Sequence, residues 1–162
     1  MNIYDYLKKD HREVSNLFAQ FKKEKNTPRK KEIVDTLCQE LFVHSHAEQE
    51  TFYRAMKHHP LTKDDAIHSI DEHQEIEDQL EQVLSSTDFG AAWEKRVLKL
   101  QDLVEHHVKE EENFIFSEAK QIFSPEEAVA LKEKVHNHKQ KLLKTIQKRL
   151  ANHPAHGIWK AG

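Results

Sequence analysis

Apolar residues recur every three or four positions through five long runs of this chain, a period that fits amphipathic helices and not strands. The spacing predicts helices over residues 2–25, 28–58, 62–86, 89–121 and 125–151. The breaks between them are short and carry helix punctuation. Asn26-Thr27-Pro28 places a proline in a first helical turn, where its missing N–H costs nothing. Thr62, with Asp65 three residues on, approaches a capping box. Ser124-Pro125-Glu126-Glu127 offers an N-cap, a proline at the first helical position and acids facing the helix dipole. With only three Gly and four Pro in 162 residues, little sequence is left for long loops. Breaks this short make successive helices antiparallel neighbours. The expected fold is therefore all-α, an antiparallel up-down-up-down four-helix bundle over about 3–121. An additional C-terminal helix should pack outside it or across an end. Residues 1–151 are expected to form this unit, and 152–162 an irregular tail.

Charge and cysteine content narrow the function classes. The formal net charge is -3, with acids and bases mixed throughout, so no basic face is expected to bind nucleic acid. No run approaches the roughly 18 apolar residues of a membrane span, and the start lacks a cationic segment followed by an apolar one. Cys38 has no second cysteine to pair with, as suits a reducing compartment, and a cytoplasmic location is expected.

Thirteen histidines are the unusual count, and their phase decides what they mean. The first helix has its apolar stripe at Tyr4, Leu7, His11, Val14, Phe18 and Phe21. In the second the stripe runs through Val34, Leu37, Leu41, His44, Glu48 and Phe52. The third reads Ala66, Ile70, His73, Glu77, Leu80 and Leu84, and the fourth Trp93, Val97, Leu100, Val104, His107, Glu111 and Phe114. Each helix thus turns one His inward, and three add a Glu one turn later. Counted along antiparallel helices at 1.5 Å per residue, these groups fall within a slab of roughly 10 Å. Burying so many polar groups unpaired costs roughly 1–3 kcal/mol each, and more for a carboxylate. A pair of metal ions removes that cost. His46 with Glu50, and His106 with Glu110, repeat the His-x-x-x-Glu spacing out of phase and remain as shifted registers. His58 and His59 fall at a helix C-terminus. His68, His136, His138, His153 and His156 fall off the stripes and are expected at the surface.

His44-x-x-x-Glu48 in LFVHSHAEQETFY and His107-x-x-x-Glu111 in LVEHHVKEEENFIF each carry an aromatic residue nine positions after the His, Tyr53 and Phe116. With DHREV around His11 and DEHQEI around His73, the first four helices resemble the hemerythrin-like, or HHE cation-binding, family. The resemblance implies a non-haem centre of two iron ions, oxo- or hydroxo-bridged. Glu48 and Glu111 would bridge, and His11, His44, His73 and His107 would be terminal ligands. Ferritin-like bundles instead place Glu three residues before His, and here those positions are Leu41 and Val104.

One departure from the family's oxygen carriers concerns Glu77, which stands where they have a second third-helix His. Glu77 is either a seventh ligand or a neighbour that leaves one iron with an open position. The expected function is to bind or reduce dioxygen, peroxide or nitric oxide, with Leu7, Phe18, Phe52, Leu80 and Phe114 keeping water scarce. The alternatives are an iron- or oxygen-sensing module without turnover, and a ferroxidase or iron store.

Overall fold

A computed structural model of the chain describes residues 1–152, so the expected tail beyond Asn152 lies outside the described residues. Helix α1 spans Ile3–Lys23 and starts at Asn2, whose side chain accepts the Asp5 N–H at 3.0 Å. Helix α2 begins as Thr27–Glu48, passes through a π turn at Gln49–Tyr53 and resumes as Arg54–Lys57. Its cap is Asn26, which accepts the Arg29 N–H. Helix α3 is Lys63–Leu84. Helix α4 repeats the construction of α2: Ala91–Glu110, a π turn at Glu111–Ile115, then Phe116–Ile122. Helix α5, Pro125–Asn152, opens with a complete capping box in which Ser124 Oγ accepts the Glu127 N–H and Glu127 Oε1 accepts the Ser124 N–H, both at 3.1 Å. No strand occurs among the described residues.

Thr62 does not act as the expected cap. Its buried hydroxyl donates to the Met56 carbonyl at 2.7 Å and closes the end of α2 instead. Helix α1 packs on α2, and α3 on α4. Helix α5 lies along the outside of α1 and α2. His136 meets Tyr6 at 3.0 Å and Lys139 meets Asp10 at 2.7 Å, so α5 runs parallel to α1, and His136 is half-buried rather than at the surface. Because Val43 and Ala47 face α5 while Leu41, His44 and Glu48 face the bundle, α2 is buried on two sides.

The apolar interior is divided. One cluster gathers Leu7, Phe52, Met56, Ala66, Ile115 and Phe116 at one end of the bundle. The other gathers Val14, Phe18, Leu37, Leu80, Trp93 and Leu100 at the opposite end. His11, His44, His73 and His107 occur in each helix between these two sets, so a polar layer separates two apolar cores.

Two expected stripes are corrected by the structure. At the end of the α4 π turn, Phe114 is 46% exposed and Ile115 takes its place at 1%. A π turn accommodates one residue more than an α turn, so the face behind it advances by one position. In α3 the stripe keeps Ala66, His73 and Leu80 but passes through Ser69, Ile76 and Val83 instead of Ile70, Glu77 and Leu84. A seven-residue repeat offers neighbours at both three and four residues from each anchor, and packing selects the set three residues on. Ile115→Ala is therefore expected to lower stability in denaturant titration by about 2–5 kcal/mol, whereas Phe114→Ser changes it by less than about 0.5.

Candidate metal centre

Glu48 and Glu111 sit at the two joints where α2 and α4 change from α to π winding, and both are fully buried. Around them the helices bring two quartets of donor atoms together. His11, His44, Glu48 and Glu111 form one, and Glu48, His73, His107 and Glu111 form the other, each with its donor atoms within 4.8 Å of one another. Both quartets share both glutamates. His11 Nε2 lies 3.1 Å from Glu111 Oε1 and His44 Nε2 3.2 Å from Glu48 Oε2. His73 Nε2 lies 3.1 Å from Glu48 Oε1, and His107 Nε2 3.2 Å from Glu111 Oε2.

Within the layer His73 Nε2 and His107 Nε2 meet at 2.9 Å and Tyr53 donates to Glu111, yet most of its inward atoms have no hydrogen bond. His11 Nε2, His44 Nε2, both Glu48 oxygens and Glu111 Oε1 are buried without any hydrogen-bond partner. Each such atom costs roughly 1–3 kcal/mol, and a carboxylate more, unless something else meets its lone pairs. Imidazole nitrogen and carboxylate oxygen are the donors of borderline transition metals, and one cation in each quartet would meet all five atoms. The residues present therefore fit a metal centre.

Electrostatics point the same way. Burial alone would depress the His44 imidazole, but Glu48 and Asp10 beside it reverse the shift and hold it up at about 10. Burial likewise acts downward on His107 and is overcome by Glu111, Glu48 and Glu72. On His73 burial prevails and its value falls. Burial raises the Glu48 carboxyl, yet the positive charge on His44 outweighs that and brings it well below the usual range. The layer demands positive charge, which protons supply in the bare chain and a metal supplies better.

The far side of each imidazole is also held. His11 Nδ1 lies 2.8 Å from Glu112 Oε2, His44 Nδ1 3.0 Å from Asp10 Oδ2, and His107 Nδ1 2.9 Å from Glu72 Oε1. The Gln49 amide lies 3.0 Å from His73 Nδ1. Carboxylate partners of this kind fix the ring and put the Nε2 lone pair inward. Lys139 of α5, only 8% exposed, pairs with Asp10. From the joint region of α2, the Tyr53 hydroxyl donates to Glu111 Oε2, and burial raises its pKa well above the usual value, with Glu111 and Glu48 adding to the effect.

Of the seven residues expected at the site, His11, His44, Glu48, His73, His107 and Glu111 come together, and Glu77 does not. Glu77 Oε1 pairs with His46 Nε2 at 2.8 Å, where both side chains are partly exposed, because the α3 stripe turns Ile76 inward in its place. His46, Glu50, His106 and Glu110 likewise stay outside the buried layer. The sequence reading missed Asp10, Gln49, Tyr53, Glu72, Glu112 and Lys139. Adjacency carried a signal for four of them: Asp10, Gln49, Glu72 and Glu112 each stand next to a residue of the layer, about 100° around the helix.

Metal uptake must displace the protons held by His44 and His107, so it is expected to release protons at pH 7, measurable by titration in weak buffer. His44 is raised on folding, so in the bare chain its stabilisation is complete below about pH 6.5 and lost as pH rises towards about 10. The melting temperature of the bare chain should fall across that window, and that of the metal-loaded chain should not. Asp10→Asn removes the carboxylate that fixes the His44 ring and raises its basicity, and is expected to weaken metal binding about 10- to 100-fold in competitive chelator titration.

The hemerythrin HHE cation-binding domain family matches residues 2–119. A DNA nickase of Nostoc sp. is 28% identical over 127 residues, 78% of this chain and 36% of that protein, so the chain spans about a third of that relative's length. The crystal structure of an HHE cation-binding-domain protein from Mycobacterium kansasii superposes with a TM-score of 0.86 at 20% identity, covering 99% of this chain and 98% of that one. That likeness shows a shared fold, with α5 included. On a match over residues 2–119, which takes in both buried glutamates and nearly all of the four-helix bundle, the chain belongs to the hemerythrin HHE cation-binding family.

Proposed function

We propose that the chain is a non-haem diiron protein that binds or reduces a small oxygen or nitrogen species such as dioxygen, peroxide or nitric oxide. His11 and His44 would hold one iron, His73 and His107 the other, and Glu48 and Glu111 would bridge. The observation that carries this reading is the sharing of both fully buried glutamates between the two quartets. Charge supports two divalent ions as well. Glu48, Glu111, Asp10, Glu72 and Glu112, less the charge of Lys139, leave four negative charges around the layer, which two divalent ions neutralise.

When bound, the iron pair supplies the redox chemistry. The chain's own residues set what reaches it. A cavity of about 230 Å³ opens between α1 and α4, with His11 in its wall and Val14, Phe18, Val104 and Val108 as apolar lining. These four apolar side chains favour a small uncharged species, and Ser15, Glu105, Lys109, Glu112 and Asn113 complete the wall as a polar part open to water. Each quartet offers two imidazoles and two carboxylates, fewer donors than the six of an octahedral site, so an iron held there would keep positions for a small ligand. Leu7 and Phe52 on one side of the layer and Phe18 and Leu80 on the other exclude water, whereas Phe114 faces outward and takes no part. Tyr53 holds a proton at its hydroxyl and donates it to Glu111, one of the two carboxylates that would hold the iron pair.

A sensing role is the second reading, favoured by the connection from Lys139 through Asp10 to His44. It ties the docking of α5 to the state of the layer. Addition of peroxide to the iron-loaded protein separates the two: oxygen release or peroxide loss marks turnover. A large metal-dependent change in hydrogen exchange of α5 without turnover marks sensing.

Anaerobic ferrous loading followed by air is expected to give about two irons per chain and a near-ultraviolet band. One iron per chain would sink the dinuclear reading. Glu48→Ala, Glu111→Ala, His44→Ala or His107→Ala should abolish the band, whereas His46→Ala and Glu50→Ala should leave it.

A further inference from the structure

A second set of His and Glu side chains faces solvent between α3 and α4, outside the buried layer. His68 and Glu72 stand one turn apart on α3, and His106 and Glu110 one turn apart on α4. His68 Nε2 lies 3.3 Å from Glu110 Oε2 and 3.7 Å from Glu72 Oε2. His106 Nε2 lies 3.3 Å from Glu72 Oε2 and 3.8 Å from Glu110 Oε2. Both imidazoles thus converge on the same two carboxylate oxygens. Donor atoms that share one tetrahedral ion at about 2.0–2.2 Å stand roughly 3.3–3.6 Å apart. The His–Glu separations fall at or just above that span; the donor atoms of His68, Glu72 and Glu110 lie within 4.8 Å of one another, and His106 reaches the same two carboxylates from the other side.

Ordinary surface pairing explains these contacts poorly. A neutral imidazole gives the carboxylates no charge, and no Lys or Arg among the described residues pairs with Glu72 or Glu110. Even protonated, exposed pairs contribute only about 0–1 kcal/mol each. Nor is Glu72 free to turn away. Its side chain is 11% exposed, and its other oxygen, Oε1, is held by His107 Nδ1 at 2.9 Å. The outer oxygen is therefore fixed towards His68, His106 and Glu110, as a preformed donor is.

We infer that His68, Glu72 and Glu110, with His106 as a further donor, bind one divalent cation of the borderline class, such as zinc, at the protein surface. Glu72 then joins two sites. A cation on its Oε2 draws negative charge away from Oε1, which weakens the acceptor facing the His107 N–H and so alters how strongly that imidazole donates inward. The surface site stands whatever metal the buried layer takes.

Equilibrium dialysis of the purified chain against zinc tests this. The chain is expected to bind one zinc more than the His68→Ala/His106→Ala double variant, and that difference of one holds whether or not the buried layer also takes zinc. His68 and His106 side chains are 57% and 74% exposed, so the double variant keeps the fold. His58→Ala/His59→Ala removes two histidines elsewhere and is expected to keep full stoichiometry. Equal zinc in the chain and the His68→Ala/His106→Ala variant would overturn the site, and so would an equal loss in His58→Ala/His59→Ala. Glu110→Gln keeps the shape and removes a charge, and is expected to weaken the extra zinc at least about tenfold.

Discussion

Two carboxylates lie at the centre of this bundle with three of their four oxygens lacking any hydrogen bond, and the rest of the molecule is arranged around that fact. Without a cation, two negative charges a few ångströms apart in a dry interior would oppose folding by several kcal/mol. Four imidazoles therefore surround them, and three of those imidazoles are backed by further carboxylates. The apolar cores are displaced to either end as a consequence. A bundle built for stability alone would run its leucines and phenylalanines through the middle.

The fold was legible because helical period and short breaks leave few arrangements, and the depth of His11, His44, His73 and His107 followed from antiparallel counting. Phase was legible only as far as the helices stay α. Upstream of Glu48 and Glu111 the expected stripes hold; beyond Glu111, Phe114 and Ile115 exchange places because the extra residue of a π turn leaves no mark in composition. Glu77 failed for a different reason. Ile76 and Glu77 both lie near the face of α3, and only packing against α4 decides which one turns in. Tyr53 was visible as an aromatic residue at a fixed offset, but its hydroxyl reaches Glu111 only through the altered winding of α2. Long-range partners such as Lys139, more than a hundred residues from Asp10, carry no local signal at all.

Helix α5 lies beyond the stretch matched by the family and still takes part in the chemistry of the layer. Its Lys139 is the one cation among the described residues that reaches the carboxylates behind the imidazoles. Tyr6, His136 and Ile146 fasten the same helix above and below that contact. Placing a buried lysine against Asp10 makes the charge on one side of the centre depend on a helix the four-helix core could form without.

The paired π turns have a consequence for how such a chain can change over generations. Each inserts one residue at a glutamate, so the segments before and after it are held out of register by about 100°. Losing that residue would leave a longer, more regular helix with better local geometry, and would swing Tyr53 or Ile115 away from the interior in one step. A substitution at an exposed position there, such as Glu50, Arg54 or Phe114, leaves that register intact, whereas any single deletion breaks it. Chain length between Glu48 and Met56, and between Glu111 and Ala119, is thus itself a structural requirement, apart from the identity of the exposed residues that fill it.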